Sequence, residues 1–261
     1  MLKPPHRPRR WRRAICRALL VGALLAAGTP ASAAPQPLYD AAEGSLPQAQ
    51  GWAYFAIGGA PAQGLEPGAA VLDSTGAIAI KAGYLASHAG FLGSSAPVPV
   101  LDHTAGVTIS FALRLDDEDH SGSANRAGLS VIAICDNLRG IELGFWKNRV
   151  WAQEGGQQRL FTQAEGVAFD TGAALVRYSL VLRNGGYRLA ANGAPILSGA
   201  LRDYTAFGGQ PDPYETPNFL FLGDNTTRAA SRFHLASVAA DAEARPGPAP
   251  GPRLFVPLAR A

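Results

Sequence analysis

Apolar and polar residues alternate along the middle of the chain with the two-residue period of a β-strand. Apolar side chains occupy every second position from Val107 to Leu115, and Thr108, Ser110 and Arg114 lie between them. Such a period indicates a strand with one buried face. Seven further segments show a strand pattern: 129–135, 141–146, 150–153, 175–183, 187–191, 219–222 and 233–238.

Turn-forming residues separate these segments. The turns are Asn184-Gly185-Gly186, Asn192-Gly193, Gly208-Gly209 and Gly223-Asp224-Asn225. No segment after the N-terminal region has a convincing helical period. Many short strands divided by such turns indicate an all-β sandwich or barrel.

The first 33 residues have the three parts of a secretory signal. A basic region that ends at Arg13 precedes an apolar run, and Ala31-Ser32-Ala33 then forms a small-residue cleavage site. We therefore expect a signal peptide at 1–33, cleavage before Ala34, and a protein that is secreted or held at the cell surface. The apolar run is shorter than a membrane-spanning helix requires, and a retained signal anchor is the alternative. Arg12-Arg13 leaves both the general and the twin-arginine export route open.

The C-terminal segment 241–261 differs from the sandwich domain expected at 34–240. It begins as a proline- and glycine-rich linker, which we expect to be extended, and ends in the short apolar tail 254–261. The tail is too short to span a bilayer. It is a candidate for a sorting or docking signal, and a strand that packs on the domain or a frayed terminus are the alternatives.

The charge distribution excludes a basic nucleic-acid binder once the signal is removed. The whole chain has a formal net charge of +3, but seven of its basic residues and none of its acidic ones lie in the first 33 positions. The remainder has 16 basic and 20 acidic residues. Cys135 is the single cysteine after residue 33, so we expect a buried thiol in a strand rather than a disulfide or a zinc site.

Several strings resemble a known family of exported proteins. The hairpin around Asn192-Gly193, with its return through Ile196-Leu197, resembles those of laminin-G-like and concanavalin A-like jelly rolls. Further strings are NRAGLSV at 125–131, GIELGFW at 140–146, WAQE at 151–154, AEGVAFD at 164–170, LRDY at 201–204 and PNFLFLGDNTT at 217–227. Together they resemble the choice-of-anchor Y domain of exported bacterial proteins over about residues 38–240.

That resemblance implies a fold and a location rather than an activity. The implied fold is an all-β, concanavalin A-like (laminin-G-like) antiparallel jelly-roll sandwich. Members of the family differ in how the C-terminus attaches to the cell, and this tail is not an LPxTG sorting signal. The family has no assigned activity, so the chemistry has to come from the residues themselves.

The segment 140–154 carries the strongest candidate for a binding surface. With a two-residue turn at Lys147-Asn148, alternation places one set of polar and aromatic side chains on the face opposite the apolar one. The set is Glu142, Trp146, Arg149, Trp151 and Gln153. Aromatic rings beside carboxylate and amide groups suit sugars, so we expect an exposed face that binds a polysaccharide or surface glycan. The alternative is that this face is packed under loops and the tryptophans belong to a core.

The acidic residues favour binding over catalysis. Glycoside hydrolysis needs two carboxylates about 5–10 Å apart, and Glu142 has only Gly144 and Trp146 as neighbours on its face. We therefore expect a non-catalytic binding module. A polysaccharide hydrolase or lyase with acids drawn from different strands, and a purely structural surface domain, are the alternatives.

A run of acidic residues after Leu115 is a candidate calcium site. Asp116, Asp117 and Asp119 are expected in a loop, where carboxylate oxygens could hold Ca²⁺. Asp224, beside Asn225 in a turn, is a second candidate. A solvated loop and a turn-stabilising aspartate are the alternatives. No other cofactor is expected.

Overall fold

The computed structural model describes residues 35–242, which form two antiparallel β-sheets packed face to face. The predicted signal peptide 1–33 lies outside the described residues, as do the predicted linker from residue 243 onwards and the tail 254–261. The linker begins later than predicted, because Asp241 and Ala242 belong to the last strand and pair with Thr108 and Val107. The strands in chain order are β1 (Gln36–Asp40), β2 (Ala53–Ile57), β3 (Ala62–Glu66), β4 (Ala69–Asp73), β5 (Lys81–Ser87), β6 (Val107–Asp119), β7 (Leu129–Ile134), β8 (Arg139–Trp146), β9 (Arg149–Gln153), β10 (Gln163–Ala168), β11 (Val176–Arg183), β12 (Gly186–Ala191), β13 (Ala194–Ala200), β14 (Arg202–Asp203), β15 (Phe219–Asp224) and β16 (Ala230–Ala242). Short 3₁₀ helices occupy Ala41–Glu43, Pro47–Gln50 and Phe91–Gly93.

Each sheet draws its strands from both halves of the chain. The first sheet has the order β13-β12-β11-β6-β16-β4-β3, with β1 paired to β16. The second sheet has the order β10-β9-β8-β7-β15-β5-β2, with β14 paired to β8. The antiparallel jelly-roll sandwich expected from the sequence is confirmed.

All eight predicted segments are strands, with small differences at their ends. The Asn192-Gly193 turn has the expected positive φ at both residues, 49° and 85°. The prediction that the acidic run 116–119 forms a loop is wrong. β6 continues to Asp119 because β16 pairs with it throughout, Asp117 lying opposite Arg232 and Asp119 opposite Ala230.

The main core fills the space between the sheets. Alternate residues of every long strand enter it, among them Leu113, Leu143 and Leu180, none of which is exposed. Cys135 is buried there, as expected, and burial raises the pKa of its thiol to about 12. The thiol is therefore protonated at neutral pH and packs as a small apolar group.

A second apolar cluster lies on the opposite side of the second sheet. We call this the outer cluster; its buried members are Leu85, Ile132, Ile134, Tyr204, Tyr214, Phe219 and Phe221. Partly buried rings pack against it, among them Phe91 from a 3₁₀ helix and Phe161 and Phe207 from loops. The second sheet is therefore buried on both faces, and the loops that cover its outer face determine what is accessible there.

Within residues 35–242, no helix is long and apolar enough to cross a membrane.

Candidate functional site

The β8–β9 hairpin has the register that the sequence predicts. Trp146 pairs with Arg149 across the turn, and Gly144 pairs with Trp151. Leu143 and Phe145 enter the main core. Glu142, Trp146, Arg149, Trp151 and Gln153 consequently share the outer face of the second sheet, as predicted from alternation.

The expectation that this face is exposed is wrong. Glu142, Trp151 and Gln153 are fully buried, and Trp146 and Arg149 are partly buried. The Trp151 ring lies against the opposing strand at Gly144, where a Cβ atom would come within 2.5 Å of the ring. The tryptophans thus belong to the packing under the loops, which was the alternative interpretation of the sequence.

The physical reason is that the segment 120–126 crosses this face. The Trp146 indole donates to the backbone carbonyl of Arg126 at 3.0 Å, and the Gln153 amide donates to that of Asn125 at 2.9 Å. The His120 ring stacks on Trp146 with 3.9 Å between ring centroids. These residues therefore position the loop that carries Arg126 rather than offer a stacking surface.

The Arg126 side chain lies at the centre of the site. Its Nη2 atom donates to Asn225 Oδ1 at 2.9 Å and lies 3.6 Å from Glu142 Oε1. The guanidinium carbon sits 4.4 Å from the centre of the Phe161 ring, a cation–π arrangement. Its position on the sheet is thus fixed by a carboxylate, an amide and an aromatic ring.

Glu142 is a buried carboxylate with a full set of partners. It accepts hydrogen bonds from the Tyr214 hydroxyl at 2.5 Å, from Asn225 Nδ2 at 3.0 Å and from the Ser130 hydroxyl at 3.3 Å. A buried charge is tolerated when it is paired and hydrogen-bonded in this way. Burial, and then the charge of Glu142, raise the pKa of Tyr214 well above its usual value, so its hydroxyl stays protonated and donates.

A pocket opens beside this network on the outer face of the second sheet. We call it the outer pocket; its walls are Phe55, Ile57, Lys81, Leu85, Phe91, Arg126, Ile132, Phe161, Phe207, Pro211, Pro213, Tyr214, Phe221 and Asn225. The cavity between the walls has a volume of about 60 Å³ and opens to solvent on one side. Aromatic rings make up much of the surface, and polar groups from Arg126, Tyr214 and Asn225 supply directional bonds.

The predicted calcium ligands have other partners. Asp116 lies 2.6 Å from Arg114 Nε and 2.9 Å from His234 Nδ1. Asp224 is buried between the sheets, where it accepts from the Ser74 hydroxyl at 2.9 Å and from the Thr226 amide at 3.0 Å. Asp117 and Asp119 lie in β6 rather than in a loop. In the part of the chain that is described, no three acidic, histidine or cysteine side chains are grouped to hold a metal.

Most walls of the outer pocket were missed by the sequence interpretation. Arg126 lies in a string that was used only for its family resemblance, and Phe161, Phe207 and Tyr214 come from loops without a strand pattern. One signal was present. The unbroken apolar run 131–134 indicates a strand buried on both faces, which requires a cover over the second face.

No protein-family model and no curated protein matches this sequence. Membership of the choice-of-anchor Y family therefore stays a prediction.

Solved structures are similar to this chain at low sequence identity. A carbohydrate esterase from the Shiga toxin-encoding bacteriophage phi24B superposes with a TM-score of 0.53 at 14% identity, over 80% of this chain and 100% of that one. A sialidase gives a TM-score of 0.46 at 14% identity, over 81% of this chain but only 19% of its own. Alginate lyase A1-II′, of polysaccharide lyase family 7, gives a TM-score of 0.37 at 12% identity, over 62% of this chain and 80% of its own. At these identities the likeness concerns the fold alone.

The comparison corrects the expectation of a non-catalytic protein. The phage chain that matches over its whole length is an enzyme, so this fold carries catalysis and gives no ground for excluding it. The lack of a second acid beside Glu142 on one strand is not enough to exclude an enzyme either, because the outer pocket draws its groups from several strands and loops.

Proposed function

We propose that this protein recognises a carbohydrate in the outer pocket. The observation that carries the proposal is the combination of aromatic walls with fixed hydrogen-bonding groups in one concave site. Phe55, Phe161 and Phe207 offer ring faces on which a sugar ring can stack, and Arg126 and Asn225 offer donors and acceptors for its hydroxyls. Sites of this composition are typical of small-molecule recognition.

The polar groups of the outer pocket are held in place before a ligand arrives. Glu142 anchors Tyr214 and Asn225, and Asn225 in turn accepts from Arg126. Groups fixed by a supporting network lose little freedom on binding, which favours affinity and selectivity. Glu142, on the face that the sequence predicts for β8 and β9, thus supports the proposed site from below.

Chemistry on the bound sugar is a second candidate, favoured by the Tyr214–Glu142 pair. The Tyr214 side chain is part of the pocket wall, and its hydroxyl lies 2.5 Å from a buried carboxylate. A protonated hydroxyl held by a carboxylate can give a proton to a leaving group during bond cleavage. A hydrolase or lyase reaction is therefore a form of the same proposal, in which recognition is followed by turnover.

Export is part of the proposal and rests on the sequence 1–33 alone. We expect the exported protein to begin at Ala34, because the small-residue site ends at Ala33. Intact-mass measurement of protein collected outside the cytoplasm tests this. A mass that includes residues 1–33 contradicts it.

Binding is tested on a panel of oligosaccharides with two matched variants. Phe207→Ala removes a wall of the outer pocket, whereas Phe169→Ala removes a partly buried ring that packs against the main core. We expect the sugar that binds best to lose at least about tenfold in affinity to Phe207→Ala and little to Phe169→Ala. Equal losses in both variants, or no binding across the panel, would contradict the proposal.

Turnover is tested in the same panel by release of reducing ends, unsaturated products or acetate. Tyr214→Phe removes the hydroxyl on Glu142, and Tyr178→Phe removes a buried hydroxyl that has no partner among the described residues. If the protein is an enzyme, Tyr214→Phe should abolish most turnover while Tyr178→Phe keeps it. Turnover that survives Tyr214→Phe would exclude this residue from the chemistry.

A further inference from the structure

The wall of the outer pocket carries positive charge. Lys81 and Arg126 are among its lining residues, and no aspartate or glutamate from residues 35–242 is. The Lys81 ammonium forms no ion pair with a carboxylate of the described chain, and Lys81 is only partly buried. The charge of Lys81 acts on the buried Asp224 carboxyl without forming an ion pair with it. A cation in a concave site that no ion pair neutralises attracts anions.

Among the described residues, Glu142 is the carboxylate that forms an ion pair with Arg126, and it leaves part of the guanidinium unsatisfied. Glu142 lies 3.6 Å from Nη2 and already accepts hydrogen bonds from Tyr214, Asn225 and Ser130. Arg126 Nη1 is buried and has no hydrogen-bond partner among the described residues. A buried donor without an acceptor is costly, so a ligand that supplies one gains affinity.

The Phe161 ring covers the same guanidinium, at 4.4 Å from its carbon atom. Phe161 lies in the loop after β9 and is only partly buried. Arg126 and Phe161 both line the outer pocket, so this stacked pair forms part of its wall. A guanidinium between an aromatic face and an anion keeps both its stacking and its charge-assisted hydrogen bonds.

We infer that the carbohydrate recognised in the outer pocket is an acidic one, whose anionic group faces the wall formed by Lys81 and Arg126. The inference rests on the proposed function and names its ligand class. Uronic acids, which carry a carboxylate, and sulfated sugars share the required chemistry. Charge-assisted hydrogen bonds from lysine and arginine suit both groups.

The test compares acidic oligosaccharides with neutral ones of the same backbone. Oligomers of galacturonic, glucuronic and mannuronic acid are titrated by calorimetry beside their carboxyl-reduced neutral counterparts, and a sulfated galactan is added as a third class. At least one acidic oligomer should bind at least about tenfold more tightly than its neutral counterpart, and the difference should shrink as salt is raised. Preference for the uronate or for the sulfated chain identifies the anionic group.

Lys81 offers a variant that spares the Glu142 network, and Lys147 is its matched control. Lys147 is exposed in the turn between β8 and β9 and is not a wall of the outer pocket. Lys81→Gln should weaken binding of the acidic oligomer about tenfold and leave the melting temperature unchanged, whereas Lys147→Gln should change neither. Arg126→Lys should also weaken acidic binding, because it keeps the charge but loses the planar donor set.

The outcomes separate this inference from the proposed function. If neutral oligomers bind at the outer pocket as tightly as acidic ones, the protein recognises carbohydrate and the inference of an acidic ligand is overturned. If Lys81→Gln and Lys147→Gln weaken acidic binding equally, the attraction is a general charge effect and the inference is again overturned. If no oligosaccharide of any class binds, both the inference and the proposed function fail.

Discussion

The outer faces of the two sheets differ in what covers them. On the first sheet, β11 alternates buried and accessible residues, and Arg177 and Arg183 are exposed on it. On the second sheet, β7 and β15 are buried at every position, because loops and the outer cluster lie over them. The molecule therefore presents one open polar face and one covered face, and the covered face carries the aromatic outer pocket.

The charged groups of the two faces are organised differently. On the first sheet, Asp116 and Glu66 flank His234, and Glu66 also pairs with Arg232 at 2.7 Å in a network open to water. On the second sheet, Glu142 is fully buried and holds its partners by short hydrogen bonds. Solvated ion pairs contribute little to stability, whereas a buried network fixes the position of each member. The buried Glu142 network is the one that supports the proposed binding site.

The largest expected effect distinguishes the covered face from the open one. Trp151→Ala should lower the free energy of unfolding by about 3–5 kcal/mol, because it removes a fully buried ring and leaves a cavity. Arg188→Ala, on the open face of β12, should stay within about 0.5 kcal/mol of the wild type. Denaturant titration of both variants measures the difference. A cost below about 1 kcal/mol for Trp151→Ala would mean that the outer face of the second sheet is not packed as described.

The second effect concerns two carboxyl groups that respond to pH in opposite directions. Burial raises the pKa of Asp224, on β15 of the second sheet, from 3.8 to about 8. In the first sheet, partial burial acts to raise the pKa of Asp116. The hydrogen bond from Arg114 and the charges of His234 and Arg232 outweigh it, and the pKa lies below its usual value. The folded state thus keeps a proton on Asp224 between about pH 4 and pH 8 that the unfolded state releases.

The contribution of Asp224 to the free energy of unfolding is therefore complete below pH 4 and declines as the pH rises towards 8. The contribution of Asp116 is present at neutral pH and is lost in acid. Asp224→Asn keeps an acceptor for the Thr226 amide but carries no charge. At pH 9 the variant should therefore be more stable than the wild type, with a free energy of unfolding at least about 1.4 kcal/mol higher. The advantage should vanish at pH 4. Equal stability of the two proteins at pH 9 would contradict the buried, protonated state of Asp224.

The smallest effect tests the open face. Arg232→Ala removes ion pairs to Glu66 and Asp73, and all three side chains are accessible to water. We expect a loss below about 1 kcal/mol at low salt that falls towards zero at about 1 M salt. Melting curves at the two salt concentrations measure it. A loss that is large and independent of salt would show that this network is structural.

The sandwich was largely predictable, and two of the strands that were missed, β3 and β4, share a physical reason. β6, β11 and β16 contain branched and aromatic residues in alternation, which indicates a half-buried strand from the sequence alone. β3 and β4 read AQGLE and AAVLD, where alanine and glycine give little alternation. These segments become strands because β16 and then β4 offer them an edge to pair with, which is a tertiary effect.

The site was predictable only in part. Alternation placed Glu142, Trp146 and Trp151 on one face correctly, but it could not show that segment 120–126 covers that face. The outer pocket unites Lys81, Arg126 and Tyr214, which are far apart in sequence and come from a strand and two loops. Local pattern carries no information on such distant contacts, so the cationic character of the site appeared only in the folded chain.

The most direct test of an acidic carbohydrate in the outer pocket is the NMR signal of individual arginine side chains. The Nε–Hε resonance of Arg126, on the covered face, is followed during titration with the acidic oligomer that binds best, and the resonance of Arg188, on the open face, serves as the reference. We predict a saturable shift of Arg126 that follows the calorimetric binding curve, with Arg188 unchanged. A shift of Arg188 with Arg126 unchanged would place the ligand on the first sheet and contradict the account.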